Sequence, residues 1–423
     1  MAQRFHFLAA ILGIALAGAA VTAQRRDVFV ASRDHAAIRY SRGPATDPVA
    51  RLNERLAAGK ATLRFEPGTG YLRSVLEALQ ITPHSQMLVF SQTSFQGPKI
   101  NYHNPRALYF NDTASVGWVQ GGDILELAAQ DPRQGVIFYS IEQKPMAKPV
   151  LERDDQCLAC HLSWETLGVP GLTVQSVHPL PDEKSYVNGY TTRHTSPLEE
   201  RWGGWWVTGT HGGSRHMGNI PVMPVDKGKL KLKNPRQPLA SLQGLFDLKG
   251  YLTPHSDVVA LMVLDHQSHM TNLITRLGWE ARLAQADPSE DARQRMREAA
   301  ADMVDYMLFV YEPTLAGPVQ GSTAFAQTFA AAGPRDSKGR SVREFDLRKR
   351  MFRYPLSYMI YTDAFSALPA PARDAAYRRM WEILGGGDRH ERYAHLTAGD
   401  RQAIVEILRD TKKDLPAYFR PVS

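Results

Sequence analysis

The 423-residue chain has two cysteines, three positions apart at 157 and 160. A framework of cross-linking disulfides is therefore excluded, and stability has to come from an ordinary apolar core. Long apolar runs are scarce as well. The one of note, Phe7 to Val21 in MAQRFHFLAAILGIALAGAAVTAQRRD, falls short of the about 20 residues that a membrane span needs. It follows a weakly basic start (Arg4, His6) and ends in Val21-Thr22-Ala23, the form of a secretory signal with cleavage near Gln24. The expectation is an exported protein, periplasmic or otherwise extracytoplasmic, with no transmembrane segment in the mature chain. No nucleic-acid-binding motif is present, and nucleic acid is not expected as a partner. The formal charge of +7 suits docking to an acidic protein or an anionic surface, although plain solubility is the better explanation.

The apolar residues change their period along the chain. After the signal (1–23), DPVARLNERLAAGK (47–60) and GYLRSVLEALQI (70–81) have helical spacing. MLVFSQTSF, RALYFND, SVGWVQG, GVIFYSIEQ, GLTVQSVHP and WGGWWVTGTHG read as short strands, rich in β-branched and aromatic residues and bounded by turn formers. Residues 24–220 are thus β-rich, and 221–250, with several Pro, Gly and Lys, read as a connecting segment. From 251 to 423 the pattern is helical. HSDVVALMVLDHQSHMTNLITRLGWEARLAQ predicts one long helix with Asp257 near its cap, and PSEDARQRMREAAADMVDYMLFVYEP a second with Pro288 at an early helical position. Shorter helices are predicted at YPLSYMIYTDAFSAL, PARDAAYRRMWEIL and TAGDRQAIVEILRDT. The fold class is α+β, a β-rich front followed by a helical rear, as two domains or one continuous domain.

The two cysteines stand in DDQCLACHLSW (154–164). Three chemistries use such a pair. Structural zinc needs four ligands, and only the distant His211 and His216 could complete the set. A redox dithiol wants a low-pKa thiol, which the neighbouring Asp154 and Asp155 oppose. The third is covalent haem, for which Cys-x-x-Cys-His is the attachment signature. On one helical turn, residues three and four apart share a face, so Cys157 and Cys160 can form thioethers while His161 binds the iron. Asp154 or Asp155 could cap that turn. Export and covalent attachment agree, because c-type haem is attached outside the cytoplasmic membrane.

On CLACH the sequence resembles a c-type cytochrome. Through RALYFND, VGWVQGG, CLACHLSWETLGVPG, HTSPLEERWGGWWVTGTHG, RHMGN, VALMVLDHQ and FRYPLSYMIY it is similar to a family of exported bacterial monohaem proteins. The resemblance implies one covalent haem c, electron transfer and a redox partner protein, possibly an acidic one. It departs from small cytochromes c, whose motif lies near the N-terminus. The distal iron ligand is open. YTTRHTSPLEERWGGWWVTGTHGGSRHMGN (190–219) offers His211, Met217, His194 and His216, walled by Trp202, Trp205 and Trp206. The long helix adds His266 and Met262, with Asp265 and His269 beside them. A histidine there could equally be a core residue held by Asp265. Arg106, Arg193, Arg201 and Arg215 are candidates for haem propionates. Two readings follow: an electron-transfer protein with both axial positions filled, or a haem enzyme of peroxidase- or oxidoreductase-like type with an open distal position.

Overall fold

The helix over 48–57 begins at a capping carboxylate. Asp47 accepts from the backbone N–H groups of Val49 and Ala50 and starts α1 (Pro48–Ala57); α2 (Leu72–Ala78) follows. The computed structural model describes residues 32–177, 189–220, 225–226, 229–230 and 238–419. The expected export signal lies outside them, as do residues 221–224, 227–228 and 231–237 of the expected connecting segment.

Six strands then form an antiparallel meander: β1 (Met87–Val89), β2 (Arg106–Phe110), β3 (Ala114–Trp118), β4 (Ile124–Asp131), β5 (Gly135–Glu142) and β6 (Glu152–Arg153). The motif lies on a short helical turn, α3 (Leu158–His161). Beyond it β7 (Val174–Ser176) and β8 (Tyr190–Thr192) pair as a separate ribbon. β9 (Trp205–Trp206) adds a seventh strand beside β1, and β10 (Gly209–His211) leaves the sheet. A two-stranded piece, β11 (Val225–Asp226) with β12 (Lys229–Leu230), lies in the connecting segment.

The rear is helical: α4 (Val258–Ala286), α5 (Glu290–Met307), α6 (Phe325–Ala331), α7 (Asp363–Ser366), α8 (Ala370–Leu384) and α9 (Ala398–Thr411). One strand, β13 (Val319–Gly321), returns to pair with β10 and ties the two parts together. The architecture is α+β, in the expected order. Among the described residues no helix is long and apolar enough to cross a membrane.

Strand alternation divides the interior in two. Leu88, Tyr109, Val116, Leu127 and Tyr139 face α1 and α2 in one core. Met87, Val89, Phe110 and Trp205 join α4, α5, α8 and α9 in the other. The remaining part of that second sheet face, with Arg106, Leu108, Glu126 and Ala128, is only half-buried. The motif sits beside it.

Three expectations need correction. Strand β4 was not foreseen, because ILELAAQD mixes Glu and Ala with its apolar residues. Pro288 is not helical; it precedes Ser289, whose hydroxyl accepts from Ala292 N and caps α5. The predicted helix over YPLSYMIYTDAFSAL breaks into a 3₁₀ turn at Tyr358–Tyr361 and the single turn of α7.

Asp257 does cap the long helix, accepting from Val259 N and Ala260 N. Its second oxygen accepts from Thr323 N at 2.8 Å and Thr323 Oγ1 at 2.9 Å, bridging to the segment after β13. Replacing Asp257 by Ala removes the cap and strands a buried donor, and should cost about 2–3 kcal/mol in urea unfolding. Asp257→Asn, which keeps the acceptor, should cost less.

Candidate functional site

Asp154 starts the motif, accepting from Gln156 N at 3.1 Å, while its own N–H donates to the Phe138 carbonyl at 2.9 Å. The helical turn is therefore hung from β5. Asp155 instead pairs with Arg153. Both cysteines are unpaired thiols, Cys157 half-buried and Cys160 exposed. Burial, and after it the charges of Asp154 and Glu126, push the Cys157 thiol up to about 12. A group so protonated is a poor nucleophile, which counts against a thioredoxin-like dithiol.

His161 is held by a hydrogen bond at Nδ1. Its Nδ1 lies 2.9 Å from the Gly171 carbonyl oxygen, so Nδ1 carries the proton and Nε2 is left for a ligand bond. Gly171 N–H returns a bond to the His161 carbonyl at 2.9 Å, closing the loop 162–170. The Phe138 ring lies 4.7 Å away. Burial, opposed by the Gly171 bond, moves the imidazole below its usual range, with the Arg106 charge adding to the effect. Arg106 itself pairs with Glu126 (2.7 Å), whose other oxygen accepts from Ser94. These side chains alternate onto the half-buried sheet face, which is how the meander supplies the wall beside the motif. Trp164, three residues past His161, is 78% exposed.

No family model, curated protein or solved structure matches the chain.

The distal candidates separate into two places. His194 and His266 share an Nδ1···Nδ1 hydrogen bond of 2.8 Å, and His266 Nε2 bonds Ser357 Oγ at 2.7 Å. Both nitrogens of His266 are thus engaged. The pair is fully buried and stacked with Tyr306 and Phe309. Asp265 does not hold His266, as had been expected. It accepts from Thr192 Oγ1 (3.0 Å) and Trp202 Nε1 (3.0 Å) and faces Arg201 at 3.4 Å.

The second place is the segment from β10 to Asn219. His211 and His216 meet edge to face at 4.9 Å, and His211 Nδ1 bonds the Ser214 carbonyl. His211 Nε2 and His194 Nε2 are buried without a hydrogen-bond partner among the described residues. The Met217 sulfur accepts from the hydroxyls of Ser176 and Tyr190. Met262 is a core residue of α4. None of these residues is a hydrogen-bond or ring partner of His161 among the described residues.

The arginine and tryptophan expectations are narrowed in the same way. Arg201 is buried and donates to the carbonyls of His194 and Ser196, so it is committed to the core. Of the other candidates, Arg106 lies beside the motif. Trp202, Trp205 and Trp206 each bond a protein acceptor and fill the two cores.

Burial lowers His266 and His269 to about 3, with the Arg193 charge contributing at His269. Both are neutral in the fold, whereas in the unfolded chain they take up protons below about pH 6.5. The stability present above that pH should fall as pH drops toward 3, by up to about 1.4 kcal/mol per pH unit for each group. Urea midpoints measured between pH 7 and 4 should show this slope, and His269→Gln should flatten it.

Proposed function

We propose that the chain is an exported monohaem c-type cytochrome that carries one haem c, with thioether bonds to Cys157 and Cys160 and with His161 as the proximal iron ligand, and that it transfers electrons to or from a partner protein. The observation that carries this reading is the bond from His161 Nδ1 to the Gly171 carbonyl (2.9 Å). It fixes the tautomer that leaves Nε2 free, on the same helical turn as two unpaired cysteines. A bound haem c supplies a one-electron couple at the protein surface. The residues do the rest. The Phe138 ring packs against the His161 imidazole. Arg106 offers a cation near the group, and the exposed Cys160 and Trp164 leave one edge open to a partner. The positive net charge favours an acidic one.

A second reading, a haem enzyme with an open distal position, is favoured by the engagement of His266 at both nitrogens and of the Met217 sulfur by two hydroxyls. Protein produced with c-type maturation machinery should give a c-type absorption spectrum that survives denaturing extraction. The Cys157→Ala, Cys160→Ala double variant should lose all covalent haem; retention of haem after extraction would refute the assignment. Carbon monoxide separates the two readings: an unchanged reduced spectrum means a filled distal position, a shifted one an open or labile position.

A further inference from the structure

The carbonyl that orients His161 is itself held by a residue from the opposite half of the chain. Asn272, on α4, clamps the loop at its end. Its Oδ1 accepts from Leu172 N at 2.8 Å, and its Nδ2 donates to the Leu172 carbonyl at 2.7 Å. The residue before Leu172 is Gly171, whose N–H and C=O both bond His161. A Cβ on Gly171 would lie 2.2 Å from Asn272 Oδ1, so only glycine lets the loop approach the amide this closely. Asn272 is 1% exposed, and its amide therefore has no water to exchange with.

The ribbon β7–β8 has a second, independent pin on the same face of the helix. Thr192 Oγ1 reaches Asp265 Oδ1, two turns before Asn272. The two pins differ in what they touch. One fixes the backbone next to the His161 acceptor, the other fixes the far end of the ribbon.

We infer that Asn272 is the positioning residue for the His161 imidazole, acting through Leu172 and the Gly171 carbonyl. As a statement about an iron ligand this rests on the haem reading above. A carbonyl held firmly against Nδ1–H raises the basicity of the ring, which favours the more highly charged iron. Loosening the carbonyl lowers that basicity.

The test compares Asn272→Ala with Thr192→Val in the haem-loaded protein. Asn272→Ala should keep covalent haem at the parent stoichiometry while the preference for ferric over ferrous iron falls about tenfold, an upward shift of the midpoint potential by about 59 mV. Thr192→Val should lower stability and leave the potential in place. An unchanged potential in Asn272→Ala, or an equal shift in Thr192→Val, overturns the inference. Gly171→Ala approaches the clamp from the loop side and should shift the potential in the same direction. If the parent takes up no haem, the haem reading fails by itself and the clamp is read on the unloaded protein. There, Asn272→Ala should speed amide exchange at Leu172 and move the ¹⁵N shift of His161 Nδ1 toward a mixture of tautomers. Unchanged exchange and shift overturn the inference.

Discussion

A helix buried on every side cannot leave its polar side chains without partners, and α4 is buried without interruption from Val258 to Thr275. Several of its polar residues reach outward to other parts of the chain. Gln267 joins the Asn111 carbonyl to the Tyr358 hydroxyl. Asp265 takes Thr192 and Trp202, His266 takes His194 and Ser357, and Asn272 takes Leu172. Asp257 binds Thr323 at the helix start. Broken singly, each of these bonds would strand a donor or acceptor in the dry interior, at about 1–3 kcal/mol. Together they fix the rest of the fold around one axis.

The candidate site inherits that rigidity on one side only. The loop behind His161 is tied to α4 through Leu172, and the turn before Cys157 is tied to β5 through Asp154. The outer side, with Cys160 and Trp164, faces solvent. A group attached there in the proposed cytochrome would have a fixed inner ligand and an accessible outer edge. The size of the chain, far beyond what one haem needs, then has a physical use. The Leu172 backbone, next to the Gly171 carbonyl, is held by a helix that itself packs against α5, α6, α7, α8, β5, β7, β10 and β13.

How much of this was legible in the sequence depended on distance along the chain. The shape of the motif was legible because it is local: CLACH fits one helical turn, and Asp154 caps it as a neighbour can. Asp257 and its helix were legible for the same reason. Strand β4 was not, since Glu126 and Ala128 occupy a half-buried face where an apolar residue is not required. The pair His194–His266 spans 72 positions and Asn272–Leu172 spans 100; no spacing rule connects either. Asp265 looked like a partner for its histidine neighbours. A buried carboxylate, however, is held by the strongest donors within reach, here the Arg201 guanidinium and the Trp202 indole.

Burial explains why the histidine pair stays neutral. Asp265 and Arg201 sit beside it, both nearly inaccessible, and burial raises the Asp265 carboxyl while Arg201 opposes the shift. His194 feels its own burial first, then the charges of His266 and Arg201, and is held well below the usual imidazole range. A proton placed on either ring would add a second cation next to Arg201 with no further carboxylate bonded to the pair. Two neutral imidazoles instead share one Nδ1–H···Nδ1 bond, His266 bonds Ser357 through Nε2, and the uncharged rings stack on Tyr306 and Phe309. The arrangement stores no mobile charge. It is a dry, polar joint between the segment after β8 and the helices.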